Sequence, residues 1–107
     1  MAVELPQGAH LVELSATYNE KSIPRSWRID HPMPYDRWGK LIVDAGEVLV
    51  SVNGGAAQAV TAGEPLVIPP ATPFRVEPGK GAARFCMHYF HPPVLSDADE
   101  LVAALGR

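Results

Sequence analysis

Four side chains could build a binding site in this chain: His31, Trp38, Phe74 and His88. His31 stands in the segment DHPMPYDR, residues 30–37, which two prolines stiffen. Loops held on a rigid scaffold are where function concentrates. The His31 imidazole could ligate a divalent metal such as zinc or nickel, or bond a neighbouring carboxylate such as Asp30 or Asp36. His88 supplies a second nitrogen ligand if it faces inward beside His31; otherwise it is a half-exposed strand residue near Arg84. Two histidines fall short of the three protein ligands usual for catalytic zinc. No catalytic residue is assigned. Trp38 and Phe74, with Trp27, either floor a small-molecule pocket or serve as core. Arg28, Arg37 and Arg84 would clamp an oxyanion if they converged, and taken singly they form surface ion pairs. Cys86 has no activating motif beside it and reads as a small apolar residue.

The elements that must position these groups are short strands. Residues 38–77 hold β-branched apolar runs cut by Gly46, Asn53-Gly54-Gly55 and Gly63, with prolines at 65, 69, 70 and 73. That punctuation predicts antiparallel strands in a small barrel or sandwich. Strands are expected over residues 10–17, 25–29, 39–44, 47–52, 57–61, 66–68, 74–77 and 83–89. Tyr18 to Ser22 reads as a polar loop and residues 30–37 as another. Asn53-Gly54 is the strongest hairpin signal, because both central residues of a type I′ turn take positive φ. Val48, Val50 and Val52 should share one core face. On the last strand Ala83, Phe85, Met87 and Tyr89 should line the core, with Arg84, Cys86, His88 and Phe90 opposite. A short helix is expected from Ser96, a good N-cap, to a stop at Gly106.

The 107 residues suit a single domain, 1–107, with one core. One cysteine allows no intrachain disulfide and points to a reducing, cytoplasmic setting. No apolar run is long enough for a membrane span. The N-terminus, with Glu4 and early breakers, does not read as a secretory signal. The net charge of −3 gives no basic footprint for nucleic acid. Ile42, Leu49 and Val67 fall on faces opposite the core, so a homodimer that covers them is expected.

The spacing of Gly63, Pro69, Ala71, Phe74 and Pro78 resembles the second cupin motif, G-x5-P-x-G-x2-H-x3-N, with the second Gly, the His and the Asn replaced. A fuller likeness runs through Leu5-Pro6-x-Gly8, Glu20, Ile23-Pro24, His31, Trp38-Gly39-x-Leu41-x-Val43-x2-Gly46, Pro69-Pro70 and Arg84-Phe85. In that order these residues resemble the TehB/YeaR-like cupin family, related to tellurite resistance. The resemblance implies an all-β, cupin-type double-stranded β-helix, a jelly-roll barrel with a short C-terminal helix. It implies that His31 occupies a ligand position. It also implies that Phe74 replaces the family histidine after Pro-Pro and that His88 replaces a carboxylate on the last strand.

The expected function is therefore binding of a small molecule or a metal within the barrel, in a stress- or tellurite-resistance setting. The alternative is a metal-dependent cupin enzyme, a dioxygenase or isomerase with a rewritten ligand set; a third reading is an interaction module with its pocket filled. A phenyl ring offers a metal no lone pair, so any ion must be led by His31 and His88.

Overall fold

A computed structural model describes residues 4–92. The strands are β1 (His10–Leu14), β2 (Tyr18–Asn19), β3 (His31–Pro32), β4 (Trp38–Ala45), β5 (Glu47–Val52), β6 (Gln58–Thr61), β7 (Leu66–Ile68), β8 (Pro73–Pro78) and β9 (Arg84–His91). All pairings are antiparallel. One sheet has the order β1-β9-β4-β7, with β2 also on β9; the other has the order β3-β8-β5-β6. The chain changes sheet between β2 and β3, β3 and β4, β4 and β5, β6 and β7, and at each later strand. The two sheets close one core between them. Leu41, Val43, Phe85 and Met87 come from the first sheet; Val48, Val50, Phe74 and Val76 come from the second.

The protein is thus all-β, built from two antiparallel sheets. The expected closed barrel is not what the pairings form, because among the described residues no ladder joins one sheet to the other. The expected C-terminal helix lies outside the described residues. No helix among the described residues is long and apolar enough to cross a membrane.

Alternation decides most strands. β4 buries Gly39, Leu41 and Val43 and leaves Trp38, Lys40 and Ile42 half-buried on its other face. β9 buries Phe85 and Met87, as the periodicity predicts, and Tyr89 packs against the core edge. Val48 and Val50 are fully buried. The β5–β6 hairpin turns where expected: Asn53 and Gly54 have φ of 54° and 75°, and Gly55 donates to the Val52 carbonyl at 3.0 Å.

Three local expectations change. Residues 25–29 are not a strand; Arg25–Arg28 form a 3₁₀ turn. The Trp27 amide bonds the Pro24 carbonyl at 2.9 Å, and the turn swings the indole into the core, where it is 6% exposed. Burial of a large aromatic outweighs the β propensity of a short run. Tyr18-Asn19, expected in a loop, pairs with β9 opposite Phe85 and Arg84. His31-Pro32, also expected in a loop, pairs with β8 as an edge strand, the position in which proline is tolerated.

Candidate functional site

His31 and Phe74 are register partners, so their side chains share the inner face of the second sheet. Their rings meet edge to face, with centroids 5.7 Å apart. The contact continues to Trp27 at 5.8 Å, from Trp27 to Tyr18 at 5.4 Å, and from Tyr18 to Phe85 at 6.0 Å. Phe74 is 1% exposed and belongs to the core. Met33, also 1% exposed, fills the space over Gly39, where a Cβ would run into the Met33 methyl. The region beside His31 is therefore packed with side chains.

His88 lies elsewhere. On β9 it alternates with the buried Met87 and points to the outer face of the first sheet. Its cross-strand partners are Leu14 on β1 and Lys40 on β4. Trp38 stands on the same outer face, opposite Phe90. The structure thus brings His31 together with Phe74, and puts Trp38 and His88 on one face of the other sheet. The first sheet lies between the two imidazoles. His10 and His91 do meet, as partners across β1 and β9, with centroids 5.6 Å apart. Among the described residues no three His, Cys, Asp or Glu side chains gather as a metal-ligand group.

The three arginines do not converge. Arg37 bonds the Glu13 carboxylate and lies over the Tyr89 ring. Arg84 approaches Asp44 at 4.0 Å. Arg28 sits on the 3₁₀ turn, exposed.

An open cleft of 530 Å³ lies where β2 meets the start of β9 and the end of β4. Thr17, Tyr18, Asn19, Glu20, Ala83 and Arg84 contribute to its walls, and none of His31, Trp38, Phe74 and His88 does. One Glu20 carboxylate oxygen accepts the Ala83 amide at 2.9 Å, which ties the turn after β2 to the entry of β9. That size is within the range of small-molecule sites.

Residues 13–87 match the TehB-like domain family. This chain belongs to the TehB-like family. No curated protein matches it. Among solved structures it is similar to a protein from Escherichia coli K12, with 17% identity and a TM-score of 0.76, over 88% of this chain and 92% of that one. It is also similar to TehB from Haemophilus influenzae, with 14% identity and a TM-score of 0.75. That match covers 92% of this chain and 41% of the other, so the TehB-like chain spans less than half of that protein. At these identities the likeness is one of fold.

Within the TehB-like chain, Glu20 has a structural role. The backbone hydrogen bond from Ala83 holds its carboxyl below the usual range. In the sequence Arg84 stands out only as one of three arginines that would have to converge, and Glu20 only as part of the family pattern. No local signal marks the pair, because Tyr18-Asn19 becomes a strand only through its pairing with β9. At the other end of β9, burial first, and then the Glu13 charge, pushes the Tyr89 phenol up. Burial, and next the Asp44 charge, raise the Cys86 thiol, which fits an unreactive half-buried residue.

Proposed function

We propose that this TehB-like chain is a small-molecule-binding domain of cupin type, and that its ligand is a small oxyanion or carboxylate held in the cleft beside Glu20 and Arg84. The observation that carries this reading is the cleft itself: a cavity of suitable size lined by Arg84, Thr17 and Asn19 together with Glu20. Arg84 is the group that suits an anion, because its planar fork matches carboxylate and oxyanion geometry. Glu20 is engaged with the Ala83 amide and shapes the wall.

The cupin assignment draws support from the strand orders. Orders β1-β9-β4-β7 and β3-β8-β5-β6, with the chain passing between sheets, fit a double-sheet jelly roll of two Greek keys. The tellurite-resistance setting rests on the family resemblance, and tellurite is itself an oxyanion. Binding is favoured over turnover, because a metal-dependent oxygenase or isomerase needs several inward ligands around an open position.

Amide chemical-shift mapping by NMR tests the reading. Titration with tellurite, and in parallel with small carboxylates, should move the amides of Asn19, Glu20, Ala83 and Arg84, and Arg84→Ala should abolish the effect. Shifts centred instead on His31 and Phe74, or none with any of these anions, would overturn it.

A further inference from the structure

His10 opens β1 and His91 closes β9. They are register partners across that antiparallel pair, so both side chains leave the same face of the sheet. Their rings meet edge to face, with centroids 5.6 Å apart and planes at 79°. His91 follows Phe85, Met87 and Tyr89 at two-residue steps, which puts the imidazole pair on the inner face of the first sheet. The pair stands beyond the core: His10 is exposed and His91 half-buried. The next rung on that face is Glu13 opposite Tyr89, and Glu13 is engaged by Arg37. The two imidazoles are thus the free donors at this end of the ladder.

We propose that His10 and His91 form a binding site for a divalent transition metal, with copper(II) as the preferred ion. Neutral imidazole is the commonest metal ligand and suits copper, nickel and zinc. Two imidazoles that hold one ion through nitrogens ~2.1 Å from it have ring centres about 4.5–5 Å apart. The 5.6 Å pair is a small ring movement from that spacing. The β1–β9 ladder fixes both backbones, so the second nitrogen binds as an intramolecular ligand. Water completes the coordination shell, since neither residue is buried. Copper(II) accepts such a tetragonal set of nitrogen and oxygen donors, and at a given site of this kind it exceeds nickel and zinc in affinity. Among the described residues β1 is an edge strand that pairs with β9 alone. An ion shared by His10 and His91 therefore ties the edge strand to its neighbour at the end of the ladder, and the folded chain brings the two nitrogens to one point.

The test titrates copper(II) into the full chain as wild type, His10→Gln, His91→Gln and His88→Ala at one fixed pH. Calorimetry reads the affinity, and electron paramagnetic resonance reads the nitrogen ligands. His10 and His91 stand at strand ends outside the core, so glutamine is tolerated at both. His88, on the opposite face of the same strand, is the control. Wild type and His88→Ala should bind one ion with equal affinity. His10→Gln and His91→Gln should each bind at least about tenfold more weakly, because the chelate is broken. The nitrogen hyperfine pattern should report two imidazoles in the wild type and one or none in either glutamine variant. Equal affinity in all four chains would assign the copper to an adventitious ligand and overturn the proposal. A loss in only one of the two glutamine variants would reduce the site to a single imidazole and overturn it as well, as would an equal loss in His88→Ala.

Discussion

Arg37 lies over the ring of Tyr89, its guanidinium carbon 5.8 Å from the centroid, while it also bonds the Glu13 carboxylate. Glu13 and Tyr89 are partners across β1 and β9, so a cation from just before β4 clamps that pair at the edge of the core. Burial of the phenol favours its neutral form and raises its pKa above the ordinary 10.0. A raised folded-state pKa contributes stability that is full below the unfolded value and is lost as pH rises through the folded one. Thermal unfolding followed from pH 8 to pH 12 should therefore show the wild type losing stability above about pH 10. Tyr89→Phe should lose less over that window. Parallel curves would mean that the Tyr89 phenol titrates alike in both states.

His31 faces the core from the second sheet and His88 faces outward from the first. Coordination needs both nitrogens at one point. Zinc and nickel titrations should therefore give the same weak binding for wild type, His31→Ala and His88→Ala. A marked loss in each single variant would show that the two imidazoles share an ion.

Phe74 is the hub of the aromatic contacts, touching both His31 and Trp27. At 1% exposure its truncation leaves a cavity in the core. Phe74→Ala should lower the unfolding free energy by about 3–5 kcal/mol in urea denaturation. A loss under about 1 kcal/mol would show that Phe74 lies in a pocket already able to rearrange.

Ala71 has a φ of 57°, in the left-handed region that favours glycine. Its amide donates to the Met33 carbonyl at 2.9 Å, so the turn is fixed and the strain is retained. A left-handed alanine costs about 1–2 kcal/mol, and glycine returns part of the relief as chain entropy. Ala71→Gly should raise the urea midpoint by an amount equivalent to about 1 kcal/mol at most. A lowered midpoint would locate the strain elsewhere.

Several features were legible in the residues alone. Alternation on β4, β5 and β9 placed Leu41, Val48, Val50, Phe85 and Met87 in the core, because a strand side chain has only two faces to choose from. Asn53-Gly54 specified its own turn, since few residues accept positive φ. The ordered pattern from Leu5 to Phe85 carried the family.

Only the tertiary structure decided what those elements do together. Arg25–Arg28 turns instead of extending because Trp27 has a core to enter, and no local preference reveals that core. Tyr18-Asn19 becomes a strand because the edge of β9 has free backbone groups there. His31 and His88 both offer an imidazole that could serve as a ligand, one read in a proline-bounded loop and one on the last strand. Their separation follows from the sheet that each strand joins, and that assignment is made by pairings between residues distant along the chain. The cleft at Glu20 and Arg84 arises in the same way: a hydrogen bond between residues 20 and 83 exists only once β2 has found β9.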